Sequence, residues 1–404
     1  MTSFDEQRAA TAGWKPYRFA EMLVDEAISY GIVQPGAHTE VNSVPIVRVN
    51  NIREGRIHTD EVLKVAAEVE GQYVRTRLKG GELLITVVGT VGQCAIVPAA
   101  LEGWNVARAI SVARLKPEFD ARFVKYCFKL EDVIFQMYGN TNDTVQPTLN
   151  LGQLKSLVLN APSLREQRNI ADTLGGLDDK IDLLRRQNQT LEAMAETLFR
   201  QWFVEEADES WETCTIGEVL SVRGGTTPST KDPDLWGGDV AWTSPRDLAQ
   251  QRSIHLFDTS RKITRRGLAQ IGSGLLPAGT VLLSSRAPIG YLAIADVPMA
   301  INQGYIAMVC DDGIPNYFAY LWCKHSMDDI KAAGNGSTFE EISKSSFKAL
   351  PFRMPAVDKL EAFDPIATEL FAKLRSNELQ VRQLEHLRDT LLPKLISGEV
   401  RVAC

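Results

Sequence analysis

Residues 163–202 read SLREQRNIADTLGGLDDKIDLLRRQNQTLEAMAETLFRQW, and this stretch decides the fold. Its apolar residues recur at alternating spacings of four and three, the heptad pattern of a helix that packs along a seam against another helix. The seam positions are Ile170, Leu174, Leu177, Ile181, Leu184, Asn188, Leu191, Ala195, Leu198 and Trp202. No proline interrupts the run, and Ser163 followed by Glu166 forms a capping-box pattern. The stretch predicts one long helix.

A second seam lies near the end of the chain. Its positions are Leu360, Phe363, Ala367, Leu370, Leu374, Asn377, Val381, Leu384, Arg388, Leu391 and Leu395. Each seam carries one asparagine, Asn188 or Asn377, and a buried polar residue there costs stability but fixes the register. Two seams in one chain should pack together, and the intervening residues leave room for the chain to return, so we expect an antiparallel pair. The alternative is that each helix packs on its own domain, although a regular 3.5-residue repeat argues against a globular face.

The rest of the chain repeats itself at a nearly constant offset. Residues 14–21 match 211–218, 197 positions on; 81–92 match 279–290, 198 positions on; and 142–149 match 335–342, 193 positions on. Identity is weak, but the order is kept throughout. A tandem half-repeat implies two similar domains with pseudo-two-fold symmetry. The alternative is two unrelated α+β domains that share similar turns.

The two regions beside the helices favour strand-rich mixed domains. We expect strands at 44–49, 83–88, 110–115, 281–285 and 305–310, and short helices at 120–129 and 316–324. The chain then divides into a first domain (1–161), a first helix (162–206), a second domain (207–354) and a second helix (355–404). The predicted fold class is α+β, with two similar α/β domains separated by two long antiparallel coiled-coil helices and a pseudo-two-fold internal repeat.

Composition narrows the class of protein. The net charge is −7, which counts against binding of nucleic acid by charge alone, although basic clusters occur at 53–56, 75–79 and 261–266. For each cluster an ordinary solvated face is the simpler interpretation. Six cysteines without a CxxC pair and five histidines make a zinc site or a disulfide framework an improbable interpretation. The sequence shows no signal core and no apolar stretch of about 20 residues, so we expect a cytoplasmic protein.

Motifs for catalysis are missing from the sequence. It lacks the Walker phosphate loop, a G-x-G-x-x-G after a strand, the Asn-Pro-Pro-Tyr/Phe type of motif of adenine methyltransferases, and the G-x-S-x-G, H-E-x-x-H and H-x-E patterns. Acidic pairs such as Asp178-Asp179 fall on a helix, where a solvated face is the sensible interpretation. We therefore expect a chain without catalytic activity of its own.

Three motifs carry a resemblance to a known family. They are Pro162-Ser-Leu-Arg-Glu-Gln-Arg-Asn-Ile-Ala171, Leu177-Asp-Asp-Lys-Ile181 and Leu391-Leu-Pro-Lys-Leu-Ile-Ser-Gly-Glu-Val400. Together with two variable half-repeats, each followed by a long helix, they resemble the specificity subunit of type I restriction–modification systems over nearly the whole chain. The chain departs from the family pattern at Pro355-Ala-Val-Asp-Lys-Leu360. It departs again at Val106-Ala-Arg-Ala109, where the second half has Ile301-Asn-Gln-Gly304.

The resemblance implies a function and partners. Each variable domain would be a target-recognition domain that reads one half of a split double-stranded DNA site, and the helices would set the unread spacing. Two methyltransferase subunits would flip and methylate an adenine each, and motor–nuclease subunits would cleave DNA. No cofactor is expected in this chain; S-adenosylmethionine, ATP and Mg²⁺ would serve the partners. We expect no membrane partner.

Loop residues are the expected DNA contacts, because Arg reads guanine, Asn reads adenine, and Ser and Thr hydroxyls read either. In the first domain the candidates are Arg48, Asn51, Arg53, Thr90, Asn140, Asn142 and Thr144. In the second they are Thr226, Thr227, Ser229, Arg246, Ser285, Arg286, Asn335, Ser337 and Thr338. For each of them a structural role in a turn is the alternative.

Three rival functions stay open at this point. One is a specificity subunit whose partner fuses methylation and cleavage in one polypeptide. Another is a coiled-coil scaffold with two protein-binding domains, which predicts no sequence-specific DNA affinity. The third is a stand-alone enzyme, against which the missing motifs argue.

Overall fold

The structure, a computed structural model, describes residues 13–139, 148–249, 251–310, 313–335 and 340–402. The chain forms two compact units. The first unit comprises residues 1–180 and 384–404, and the second unit comprises residues 181–383. The division therefore runs through both long helices instead of at their ends.

The two long helices confirm the prediction from the seams. The first spacer helix is Leu164–Arg200 and continues as a π-helical turn at Gln201–Glu205. The second spacer helix is Val357–Ile396. Neither is predominantly apolar, and in the described part of the chain no helix has both the length and the apolar character needed to cross a membrane.

The helices run antiparallel within each unit. In the first unit, Ile170 and Leu174 share a core with Leu392 and Leu395. In the second unit, Asn188 and Asn377 are joined by a side-chain hydrogen bond, while further along, Phe203 and Phe363 stack edge to face at 4.9 Å. The same cores contain residues of the globular domains, so the alternative expectation, packing of helix on domain, also describes part of each helix.

The first unit is built on an antiparallel sheet and a smaller mixed sheet. Among the described residues the larger sheet has the strand order Leu23–Tyr30, Ile110–Leu115, Leu83–Thr86, Cys94–Ile96, and the smaller has Leu63–Ala66, Ser43–Val47, Asn105–Val106. Lys15–Arg18 pairs with Val158–Ala161, and Ile52–Arg53 pairs with Arg56–Ile57. The α-helices of this domain are Phe19–Met22, Ala67–Glu70, Ala121–Cys127, Glu131–Gly139 and Leu151–Ser156, with 3₁₀ turns at Val49–Asn51, Gly71–Thr76 and Ala99–Leu101.

The second unit repeats this plan. Among the described residues its larger sheet has the order Ser221–Arg223, Tyr305–Val309, Val281–Ser284, Leu292–Ala295, His255–Leu256, and the smaller has Arg261–Ile263, Trp236–Thr243, Ala300–Ile301. Thr213–Thr215 pairs with Pro351–Arg353. The helices of this domain are Ile216–Val219, Pro245–Ala249, Arg265–Leu268, Asn316–His325, Met327–Ala332 and Lys344–Lys348, with a 3₁₀ turn at Pro233–Leu235.

The small sheets match in register. Val47 pairs with Val106 in parallel in the first unit, as Thr243 pairs with Ile301 in the second. The repeat therefore extends to individual strand partners, which rules out two unrelated domains with similar turns. The predicted strands are present, most of them one or two residues shorter than expected.

Candidate nucleic-acid interface

A glycine brings the first candidate loop of the second unit close to the small sheet. The Thr226 N–H donates to the Ile301 carbonyl at 3.0 Å. A Cβ on Gly225 would overlap that carbonyl, so only glycine lets the loop pass here. Thr226 and Ser229 are exposed on the segment that follows.

The matching loop of the first unit was missed by the sequence analysis. The Ile32 N–H donates to the Val106 carbonyl at 2.8 Å, and a Cβ on Gly31 would overlap it. Gly31 and Gly225 are 194 positions apart, inside the offset of the repeat, so the sequence did contain a signal for this loop. Residues 33–34 and 36–38 are exposed there.

Two tryptophans hold the second-unit loop in place. The Trp242 indole N–H donates to the Thr226 carbonyl at 3.3 Å, and the Trp236 indole N–H donates to the Ser229 carbonyl at 3.0 Å. Both rings belong to the central strand of the small sheet. The loop backbone is thus fixed from beneath while its hydroxyls stay at the surface.

The Asn-Gln pair that distinguishes the two halves acts on this loop. The Thr227 hydroxyl donates to the Gln303 side-chain carbonyl at 2.7 Å, and the Asn302 side chain accepts a backbone N–H two residues on at 2.9 Å. The first half has Ala107 and Arg108 at these positions. Neither side-chain contact therefore has a counterpart among the described residues of the first unit.

A buried hydroxyl shapes a second loop in each unit, residues 285–290 in the second unit and 87–92 in the first. The Ser284 hydroxyl accepts the Tyr291 N–H at 2.8 Å, and the Thr86 hydroxyl accepts the Gln93 N–H at 3.0 Å. Ser285 directly follows the buried strand and is only 4% exposed. The structure corrects the predicted DNA contact at Ser285, because this residue is almost fully buried at the base of the loop.

Two predicted arginines line a shared depression. Arg246 and Arg286, with Tyr291 and Asn302, border a depression of about 420 Å³. Arg286 is half-buried and lies 3.6 Å from a Glu341 carboxylate oxygen. Arg246 is exposed and forms no ion pair with a described residue. This depression can accept an anionic or hydrogen-bond-accepting ligand.

The first unit has no arginine at the matching loop position. Val88 forms an isolated bridge with Thr148, as Arg286 does with Glu341. Thr90, a predicted contact, is exposed on this loop. The two units therefore present different side chains from the same backbone.

Asn51 requires a second correction. It is 2% exposed; its carbonyl accepts the Arg48 N–H at 2.9 Å, and its amide donates to the His58 carbonyl at 3.1 Å. In the second unit Asp247 accepts the Ser244 N–H at 2.9 Å in the same way. Asn51 therefore caps a buried turn, because its amide is already used within the fold and cannot read a base.

One of the neighbouring arginines contacts the first spacer helix. Arg48 is half-buried, and the Arg53 side chain donates to the Asn50 carbonyl at 2.8 Å. Arg56, on the same hairpin, lies 2.7 Å from an Asp179 carboxylate oxygen on the helix. The predicted basic cluster 53–56 thus includes a contact between domain and helix.

Five predicted contacts lie outside the described residues: Asn140, Asn142, Thr144, Ser337 and Thr338. Asn335 is exposed and exchanges two backbone hydrogen bonds with Glu341, at 2.9 and 3.1 Å.

Acidic neighbours neutralise much of the basic surface. The Arg77 guanidinium forms a pair of hydrogen bonds with Glu70, and this contact lowers the pKa of the Glu70 carboxyl, against its burial. Arg266 lies 3.1 Å from Asp234. The solvated-face interpretation therefore fits these two arginines of the predicted clusters.

The described residues contain no group of three or more His, Cys, Asp or Glu side chains that could hold a metal ion. Cys94, Cys127 and Cys323 are buried thiols. Burial raises the pKa of each of these thiols, so they are unreactive in the folded protein.

The spacer seams are buried or half-buried at every predicted position. The buried residues are Ile170, Leu174, Ile181, Leu184, Leu374, Asn377 and Val381; the half-buried ones are Leu177, Asn188, Leu191, Leu198, Leu370, Leu384 and Leu391. The Asn377 amide donates to the Asn188 side-chain carbonyl at 2.9 Å, and the Asn188 amide donates to the Leu374 carbonyl at 3.3 Å. The two seam asparagines therefore meet each other and mark one register.

Comparison with known proteins places this arrangement in a family. Residues 26–193 and 208–378 each match the family model described as type I restriction modification DNA specificity domain. The two matches cover most of the chain, which therefore belongs to this family. The family comprises the specificity subunits of type I restriction–modification systems, which recognise DNA and do not catalyse the reactions.

Individual relatives agree with the family. The MjaIX specificity subunit of Methanocaldococcus jannaschii is 32% identical over 194 residues, 48% of this chain and 45% of that relative. The chain thus spans about half the length of that relative. The HindI specificity subunit of Haemophilus influenzae is 21% identical over 96% of this chain and 99% of the relative. The crystal structure of a type I S subunit from M. genitalium has a TM-score of 0.58 at 17% identity and covers 95% of this chain and 96% of that one. This likeness shows the shared fold.

Proposed function

We propose that the chain recognises a split double-stranded DNA sequence, one half with each unit, and directs adenine methylation and cleavage by partner subunits. The observation that carries the proposal is the duplication of the domain down to single hydrogen bonds, such as those beside Gly31 and Gly225. Two copies of one recognition scaffold with different surface side chains suit two half-sites of different sequence.

The spacer helices would fix the distance between the half-sites. DNA advances about 3.4 Å per base pair and turns once in about 10–10.5 pairs, so half-sites on one face need a defined separation. The hydrogen bond between Asn188 and Asn377 supports a single helix register. A pair of helices held in one register would keep the two half-sites at one separation.

We infer the partners from the family. Two methyltransferase subunits would bind beside the two domains, and motor–nuclease subunits would complete the restriction complex. S-adenosylmethionine, ATP and Mg²⁺ would act in those subunits, and this chain would need no cofactor. We expect the complex in the cytoplasm with its DNA.

The contacts with DNA would come from exposed and half-buried loop residues. In the second unit we propose Thr226, Thr227, Ser229, Arg246 and Arg286, and in the first unit residues 33–38 with Thr90. Arg48, Arg53 and Asn335 keep their predicted role as lesser candidates. Exposure, hydrogen-bonding side chains and rigid backbones support this choice.

Mapping of methylated adenine tests the proposal. The chain would be co-expressed with the methyltransferase encoded beside it, in a host that lacks the modification, and N6-methyladenine would be mapped by single-molecule sequencing. The expected result is one split motif with a fixed spacer. A folded complex that methylates nothing would leave a scaffold as the better account, and co-purification would tell a separate methyltransferase from one fused to a nuclease.

Two variants separate reading from spacing. Exchange of residues 14–160 for another family member's domain should change one half-site only. Insertion of seven residues into both spacer helices adds about 10 Å at 1.5 Å per residue, and should lengthen the spacer by about three base pairs without changing either half-site. A change in both half-sites in either experiment contradicts the modular function.

A further inference from the structure

An arginine outside the predicted contacts has an unusual setting in the second unit. Arg261 is exposed, and its guanidinium carbon lies 3.4 Å from the ring centroid of Trp236 and 5.4 Å from that of Trp242. The two indoles meet edge to face at 88°, with centroids 5.0 Å apart. The guanidinium therefore lies on one ring, in the corner formed by both, well within the ~6 Å range of a cation–π contact.

Both rings are themselves fixed. Trp242 stands directly opposite Arg261 in the antiparallel register of the small sheet. The two indole N–H groups donate to the carbonyls of Thr226 and Ser229, in the candidate recognition loop. The orientation of the guanidinium is thus tied to the loop by packing and hydrogen bonds.

The donors of Arg261 stay available. Its guanidinium forms no ion pair or hydrogen bond with any residue that the structure describes, unlike two of its neighbours. Lys262 lies 3.5 Å from Asp258, and Arg266 lies 3.1 Å from Asp234. An arginine has five N–H donors in a fixed fork, and here an exposed side chain presents them with its plane already set.

We propose that Arg261 reads a guanine in the half-site recognised by the second unit, through two hydrogen bonds to O6 and N7; this rests on the proposed DNA-recognition function. A phosphate accepts donors from several directions and is bound by flexible lysines as well as by the arginine fork. A guanine requires a planar fork held in one orientation. Stacking on Trp236 restricts the arginine before binding, which lowers the entropy lost on contact with the base.

The first unit lacks this stacking of an arginine on a tryptophan. Leu63 pairs with Ile46 in the register in which Arg261 pairs with Trp242. Close to that position, Lys64 and His38 both contact the Glu40 carboxylate. The guanine contact is therefore expected in one half-site only.

Four variants of the full chain, each in complex with the methyltransferase, test the assignment. Arg261→Ala and Arg261→Lys should lower the preference for one G·C pair in one half-site by about 10- to 100-fold, because the lysine keeps the charge but loses the fork. Trp236→Phe should weaken the same preference less. Arg266→Ala, which removes an exposed arginine paired with Asp234, is the matched control and should leave the motif unchanged.

The outcomes are distinguishable. Methylation maps and binding to duplexes with each base pair at that position would be measured at several salt concentrations. If the wild-type complex gives no split motif, the proposed function fails and this assignment with it. If the wild-type motif is present and Arg261→Ala leaves it unchanged, the assignment alone is wrong. Uniform weakening for all four base pairs, with a salt slope lower by about one, would identify a phosphate contact and overturn guanine reading.

Discussion

Both units join their domain to the spacer helices through charged contacts, and the second unit adds a cluster of aromatic rings. In the first, the Tyr126 hydroxyl donates to Asp178 at 2.7 Å, and Arg388 donates to the same carboxylate at 3.0 Å. In the second, the Phe203 ring lies 4.9 Å from the rings of both Phe318 and Phe363. The ring cluster therefore distinguishes the second attachment from the first, and the two units should respond differently to the loss of an aromatic ring.

The recognition surfaces of the two units also differ, in their exposed side chains. Gly31 and Gly225 pass equally close to a strand, yet exposed valine and glutamine follow the first, and threonine hydroxyls follow the second. Backbone and buried groups are shared, while exposed side chains are not. Because bases are read by exposed side chains, the two half-sites should differ in sequence.

Loss of an aromatic ring should have the largest effect. Phe318 is 1% exposed, and Phe318→Ala should destabilise the second unit by about 3–5 kcal/mol, since it leaves a cavity in the ring cluster. Pulsed alkylation of the buried thiols, followed by mass spectrometry, distinguishes the units. Cys323 lies on the helix of Phe318 and Cys127 on the matching helix of the first unit, so Cys323 should label at least about 100-fold faster while Cys127 stays protected.

Phe123→Ala is the matched variant. Phe123 lies 195 positions before Phe318, is fully buried and packs against Trp14. It should expose Cys127 and leave Cys323 protected. Equal acceleration of both thiols in either variant would mean that the two units open together.

Removal of one half-buried charge should have the next largest effect on stability. Asp178→Asn removes the carboxylate that accepts from the Tyr126 hydroxyl and from Arg388, and should cost the first unit about 1–3 kcal/mol. The adjacent Asp179 is 77% exposed in its pair with Arg56, so Asp179→Asn should cost at most about 1 kcal/mol. Cys127 labelling reports both; a larger loss at Asp179 would contradict the network.

The same carboxylate gives the first unit a pH dependence. Burial opposes its ionisation, but the Tyr126 hydroxyl, Lys129 and Arg388 outweigh burial and hold the pKa of Asp178 below its usual value. Its contribution is therefore complete above about pH 4, the unfolded value, and is lost as the pH falls through the folded pKa. The difference in stability between wild type and Asp178→Asn should shrink below about pH 4, while Phe318→Ala keeps its full effect there.

The sequence predicted periodic features well and local ones poorly. Heptads revealed both helices and the Asn188 and Asn377 positions, because a seam repeats over many turns. Asn51 and Ser285 looked like polar loop residues, but burial depends on strands distant in the sequence that no local pattern reports. Arg261 was one member of an arginine cluster, and its stacking on Trp236 depends on a strand pairing that the sequence analysis did not predict.

Loss of a loop hydroxyl should have a moderate and equal effect in both units. Ser284→Ala and Thr86→Ala each remove a buried hydroxyl that accepts a loop N–H, of Tyr291 or Gln93, and should cost about 1–3 kcal/mol. Hydrogen exchange of those two amides measures the effect. Thr86→Ser keeps the hydroxyl and should cost less than alanine; if it costs as much, the methyl group and not the hydrogen bond shapes the loop.

The pair of seam asparagines should have the smallest effect on stability and a distinct effect on spacing. The offset of 193 carries Asn188 onto Val381 and Asn377 onto Leu184, which are both apolar and buried. The polar pair therefore has no counterpart in the internal repeat of the sequence. Asn377→Leu alone leaves the Asn188 carbonyl without its donor and should cost about 1 kcal/mol, whereas Asn188→Leu with Asn377→Leu should recover that loss.

The double variant should differ from wild type in the length of the DNA spacer between the half-sites. With leucine at both positions, the seam is apolar at 188 and 377 as it is at 381 and 184, and it no longer distinguishes one helix register from its neighbours. The double variant should be at least as stable as wild type but methylate sites with more than one spacer length, with unchanged half-sites. A single spacer length in the double variant would show that the apolar seam residues alone set the register, and the asparagine pair would then be a cost without a role in spacing.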